Sequence, residues 1–135
     1  SIAVSLHMGK GKPRFDVAAR HARYAIQAVL DAAGGLPDPH SCISINVPVT
    51  SEDGPTPPMR VCPMNTHGLN DSYEKRMSPA GEAYYWATGH GLDFRVTDQG
   101  SDVQELMKRN ITITPLVYDL TDHRSLARWV GKIGR

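Results

Sequence analysis

The chain opens with a strand–helix–strand run, and that run limits the folds open to it more than any other feature. Ile2-Ala3-Val4-Ser5-Leu6 reads as a buried strand. A loop with Gly9, Gly11 and Pro13 follows. Phe15, Ala18, Ala22, Ile26, Val29 and Ala33 then recur at spacings of three and four, with Asp16, Arg20, Arg23, Gln27 and Asp31 opposite them. This spacing predicts an amphipathic helix of about five turns. Asp16 and Arg20 are placed for an i,i+4 pair. Gly34 and Gly35 end the helix, and Pro37 and Pro39 prevent its resumption. Cys42-Ile43-Ser44-Ile45-Asn46-Val47 alternates with period two until Pro48 stops it. Strand, helix and strand at this spacing form a βαβ unit, which requires parallel strands and an α/β fold. An apolar strand at a raw terminus also predicts that a preceding element has been left out.

The remaining segments append to this unit as one domain over 1–135. Residues 48–58, rich in proline, read as a loop, and Met59 to Met64 as a short strand. Tyr73 to Met77, the turn Ser78-Pro79-Ala80-Gly81, and Glu82 to Thr88 predict a β-hairpin arm over about 73–88. Tyr84, Tyr85 and Trp86 are adjacent on its second strand. Side chains alternate faces along a strand, so the three cannot share one core, and one face needs an outside partner. Ser101 and Gln104 have capping-box spacing ahead of Val103, Leu106 and Met107, and Asn110 suits a left-handed stop. Ile111 to Val117 is a strand whose Pro115 argues for an edge or a strand end. Thr121 or Asp122 caps a last helix over about 122–134. Its apolar stripe is Leu126, Trp129, Val130 and Ile133, with Arg124, Arg128 and Lys132 on the other side.

Charge and composition exclude several classes of function. Fifteen basic residues against fourteen acidic ones leave a net charge of +1, with no pull toward nucleic acid or anionic lipid. No apolar run approaches the ~20 residues of a membrane span. Cys42 and Cys62 read as buried free thiols of a reducing, cytoplasmic protein.

Four places invite a chemical reading. Gly9-Lys10-Gly11-Lys12 lies between a strand and a helix but fails the Walker pattern. Leu6 stands in place of the first glycine, and Pro13 replaces the hydroxyl residue that would hold magnesium. The loop can still lend Lys10, Lys12 or Arg14 to a phosphate ligand, with a flexible basic loop as the plainer alternative. His90, Asp93, Asp98 and Asp102 offer oxygen and nitrogen donors for a hard cation or acid–base work, but nothing forces them together. Ser5 and His7 lack the nucleophile-elbow glycines of a hydrolase triad. Tyr84, Tyr85 and Trp86 could stack on bases, but without basic surroundings they fit a subunit contact better.

Taken in order, several blocks resemble the C-terminal half of the SurE (stationary-phase survival protein) family. They are Ile2-Ala3-Val4-Ser5-Leu6, Ala18-Ala19, Ile45-Asn46-Val47-Pro48 and Arg60-Val61. Gly81 with Tyr84-Tyr85-Trp86 follows, then Gly100-Ser101-Asp102, Ile111-Thr112-Ile113-Thr114-Pro115-Leu116 and Asp119-Leu120-Thr121. The family usually carries an aromatic where Val103 stands, and Gly-Tyr where Arg109 and Asn110 stand. The resemblance implies a partial Rossmann-like three-layer sandwich with an extended hairpin arm and a C-terminal helix. It implies a metal-dependent 5′(3′)-nucleotidase or phosphatase acting on nucleoside monophosphates, whose divalent Mg or Mn ion activates water. The family's metal ligands lie in an Asn-Asp-Asp-Gly motif, a serine and an asparagine, and its phosphate loop is Ser-Gly-Thr. No Asp-Asp pair and no Ser-Gly-Thr occurs in this chain. The resemblance therefore assigns it no catalytic or metal residue. It assigns sheet core, a pocket wall, and contacts of a homodimer or homotetramer through Tyr84, Tyr85, Trp86, Leu126 and Trp129. The competing expectation is a non-catalytic oligomerisation or ligand-binding module that stands alone.

Overall fold

The computed structural model describes residues 1–50, 54–70, 72–88, 94 and 96–134. Strands β1 (Ile2–Leu6), β2 (Ser41–Val47), β3 (Met59–Val61) and β6 (Ile111–Val117) form one sheet in the order β1-β2-β6-β3. The predicted βαβ unit is present: β1 and β2 pair in parallel, from Ile2 opposite Ile43 to Leu6 opposite Val47. β6 runs antiparallel to β2, and β3 runs parallel to β6. The carboxyl ends of β1 and β2 therefore lie at the same end of the sheet as the amino ends of β6 and β3.

Helix α1 (Phe15–Ala33) covers one face of this sheet. The core is Ala25, Ile45, Ile111 and Ile113, with Ile2, Ile26, Val29, Ile43 and Met59 packed around it. Gly34 ends α1 in the left-handed region at φ 65°, and the amides of Gly34 and Gly35 bond Asp31 and Leu30 carbonyls. The predicted face of α1 holds at Ala18, Ile26 and Val29 but extends to a neighbouring row and loses Phe15. Val17, Ala18, His21 and Ala25 are buried, and Phe15 is 62% exposed. Valine and alanine along this row let the helix approach the sheet closely, which turns Phe15 outward. Asp16 takes Arg14 as partner at 2.7 Å, so the expected Asp16–Arg20 pair gives way to a contact two residues back.

The other face carries α2 (Asp102–Met107), packed on β6 and β2. Layers of helix, sheet and helix result. Ser101 Oγ accepts the Gln104 amide, as predicted, and Gln104 Oε1 accepts the Gly100 amide. The left-handed stop falls one residue earlier than expected, at Arg109 with φ 67°. Asn110 uses its side chain instead to donate to Glu105.

Two further expectations meet different outcomes. Among the described residues β1 is the outermost strand of this sheet, and Ala3, Val4 and Ser5 are exposed where the pattern reads as a buried strand. Pro115 lies in a strand with neighbours on both sides, yet β3 pairs only with Ile111 to Ile113. The ring thus occupies the stretch of β6 whose outer edge is open.

Strands β4 (Tyr73–Met77) and β5 (Ala83–Ala87) form the predicted hairpin as a separate two-stranded sheet. Gly81, at φ 84°, makes the turn. Helix α3 (His123–Ile133) is capped by Asp122, which accepts the amides of Arg124 and Ser125. None of its residues is buried.

Candidate functional site

The face of the sheet opposite α1 is polar. Ser5, Asn46, Thr112 and Arg60 are paired in register across all four strands. Ser5 Oγ donates to Asn46 Oδ1, and Asn46 Nδ2 donates to Thr112 Oγ1 at 3.2 Å. Polar side chains line this face because α2 covers only its β6 and β2 side.

A cavity of about 550 Å³ opens over the carboxyl ends of β1 and β2. Ligands of open α/β sheets bind at such strand ends. Ser5, His7 and Asn46 contribute one polar side, and Asn65 and Asp102 the other. Leu6, Met8, Met64, Phe94, Val103 and Leu106 make the apolar walls. Burial and then the Arg109 charge push the His7 imidazole below its ordinary value, which favours its neutral form.

Side-chain hydrogen bonds hold the far wall in place. Asp102 Oδ1 accepts the amides of Asn65 at 2.7 Å and Val103 at 2.8 Å. Asn65 Oδ1 accepts the Asp98 amide at 2.9 Å, and the Asp102 amide donates to the Pro63 carbonyl. Asp98 also takes His67 Nε2 at 2.9 Å. Its carboxyl lies below the ordinary range, chiefly because the Thr66 amide donates to it, with His67 adding to the effect. Asp98 and Asp102 therefore serve as acceptors that join 63–67 to 98–103. His90 and Asp93 lie outside the described residues.

The three basic loop residues are not brought to one point. Lys12 lines a small pocket of about 40 Å³ with Leu6, His7, Gly9 and Thr50. Lys10 is exposed on the same loop. Arg14 turns to Asp16, and its bonds hold the Asp16 carboxyl down at about 2. Gly9 lies close to Val49: a Cβ would stand 2.9 Å from Val49 Cγ1, so any larger residue would displace that side chain. The sequence marked Asn46 only within its Ile45-Asn46-Val47-Pro48 block, and Asp102 within its Gly100-Ser101-Asp102 block and as a candidate cation or acid–base donor, whereas both line the cavity. Ser5 and His7 share the cavity, but Ser5 bonds Asn46 and not His7.

Among the described residues, no group of three or more His, Cys, Asp or Glu side chains could hold a metal ion. Cys42 and Cys62 are both free, and burial pushes the Cys62 thiol up. No described helix is long and apolar enough to cross a membrane.

The proposed interface residues are all solvent-facing. Tyr84, Tyr85 and Trp86 are 41%, 68% and 54% exposed, and Leu126 and Trp129 are each 48% exposed. Arg76 lies 5.2 Å from the Trp86 ring centre, and Arg128 and Lys132 flank Trp129.

An α/β sheet with helices on both faces and a crevice at its strand ends defines a partial Rossmann-like fold. Its fold matches the crystal structure of a SurE protein from Aquifex aeolicus. The TM-score is 0.69 at 21% identity, covering 96% of this chain and 50% of that one. The 5′-nucleotidase SurE of Nitratidesulfovibrio vulgaris is 35% identical over 130 residues, covering 93% of this chain and 49% of the relative. That of Methanoregula boonei is 31% identical over 113 residues, covering 84% and 40%. The chain belongs to the SurE family, as its C-terminal part, and spans about half the length of the curated relatives it matches. No family model matches it.

Proposed function

We propose that this chain is part of a metal-dependent 5′-nucleotidase that hydrolyses nucleoside monophosphates. In this reading it contributes sheet core, one wall of the substrate crevice and the contacts of a homo-oligomer. The observation that carries it is similarity to proteins named 5′-nucleotidase SurE over 93% of the chain. The crevice at the ends of β1 and β2 supports it, since that is where such a sheet takes its ligand. In this reading the divalent Mg or Mn ion is held elsewhere in the protein, and the residues of this chain bind and orient substrate. Lys12 stands closest to a phosphate-binding role, on the loop that follows β1. Lys10 and Arg14 would add charge to that loop, Arg14 only by leaving Asp16. The free thiols Cys42 and Cys62 suit a cytoplasmic protein.

Phosphate release from a nucleoside 5′-monophosphate tests this reading. In this reading the longer protein that carries the chain is expected to turn over with manganese or magnesium. Residues 1–135 alone are expected to release none. Metal-dependent turnover by 1–135 would place the ligand set within it, and an inactive longer protein would overturn the nucleotidase reading. The exposed hairpin and α3 favour a second reading, a non-catalytic assembly module, which the second outcome would leave standing.

A further inference from the structure

We infer that the crevice cavity receives the base of a nucleoside, and that Asp102 selects bases carrying an exocyclic amino group. The inference rests on the nucleotidase reading and adds to it a subsite and a specificity-determining residue. Its size, about 550 Å³, falls in the range of small-molecule sites. Its walls suit a flat, apolar-faced ring. Phe94 offers an aromatic side chain, and Met8 and Met64 offer thioethers, which pack favourably on aromatic groups.

Asp102 gives this space its chemical preference. One carboxylate oxygen is committed: Oδ1 accepts the amides of Asn65 and Val103, which fix the group's orientation. The other, Oδ2, has no hydrogen-bond partner among the described residues, while the side chain lines the cavity. A half-buried carboxylate oxygen of fixed direction calls for a donor and repels an anion. The phosphate of a nucleotide is therefore disfavoured at this end and an N–H group is favoured. The phosphate belongs on the opposite side, where the small pocket containing Lys12 shares Leu6 and His7 with the cavity. An exocyclic amine meets the requirement at Oδ2, and a ring with hydrogen in its place does not.

Adenosine and purine riboside differ in that one amino group, and equilibrium titration of chain 1–135 with each tests the inference. Adenosine is expected to bind about tenfold more tightly, since a hydrogen bond to a charged group is at stake. Asp102→Asn keeps an oxygen for the Asn65 and Val103 amides but presents a donor where Oδ2 stood. It is expected to fold and to bring the two nucleosides within about twofold of each other. Equal binding by the unaltered chain overturns the inference, as does an unchanged preference in a folded Asp102→Asn variant. So does the absence of adenosine binding at millimolar concentration. Phosphate release by the longer protein is a separate measurement, so the nucleotidase reading can survive any of these failures.

Discussion

Arg109 holds a backbone conformation that its residue type resists. At φ 67° it occupies the left-handed region, which costs a non-glycine residue about 1 kcal/mol or more. Its guanidinium donates to the Val49 carbonyl at 2.9 Å, and its charge helps depress the His7 pKa. A histidine with a lowered folded pKa favours the neutral form. Its contribution to stability is present above the ordinary imidazole value and is lost as pH falls through the lowered one. Arg109→Gly removes the backbone cost and the charge together. The His7 pKa should rise, as read by NMR titration of its ring protons. Stability in urea at pH 7 should hold or gain up to about 1 kcal/mol, because the lost hydrogen bond partly offsets the relieved strain. A His7 pKa that stays fixed would show that burial alone sets it. At this scale the sequence was partly legible. A left-handed stop was expected after α2, but Asn110 tolerates that conformation better than arginine. The structure instead uses Asn110 to bond Glu105.

Among the elements, those with local causes could be read directly. Pattern, Gly34-Gly35 and Pro48 bound β1, α1 and β2, and the Ser78–Gly81 turn fixed the hairpin. Direction and exposure were less accessible. Nothing in the alternation of Ile111 to Val117 says that β6 runs against β2, nor that Ala3, Val4 and Ser5 of β1 are exposed. The face of α1 shifted because close packing of Val17 and Ala25 overrides the placement of Phe15. The hairpin raises a question of stability. A lone two-stranded hairpin is marginal in water, and every residue of β4 and β5 is exposed. Its amides should exchange with deuterium on the order of a hundredfold faster than those of Ile45 and Ile113 in dilute solution. Protection should then rise as protein concentration rises. Strong protection that is independent of concentration would mean that the arm is covered within one chain.

For the whole molecule, the α/β layering could be inferred, but the crevice could not be assembled from spacing alone. It joins Ser5, Asn46 and Asp102, which are distant in sequence and meet only through the β1-β2-β6 order. The apolar surface was easier to foresee, since three adjacent aromatics must divide between two faces. Register places Tyr84 and Trp86 with Arg76 and Glu74 on one side, and Tyr85 with Lys75 on the other. Both sides carry exposed aromatic area, as α3 does at Leu126 and Trp129. Surface of this kind marks interaction sites. Buried aromatic anchors commonly carry more than about 2 kcal/mol of an interface's binding energy. Trp86→Ala should therefore lower the mass of chain 1–135 in sedimentation at a fixed concentration. It should also abolish the concentration-dependent protection of the hairpin, while leaving the four-stranded sheet intact because the arm forms a sheet of its own. Trp129→Ala separates the two surfaces: a comparable loss of mass assigns α3 to the same assembly, and an unchanged mass confines the contact to the hairpin. If Trp86→Ala leaves both mass and protection as they were, the arm is not where copies of this chain meet.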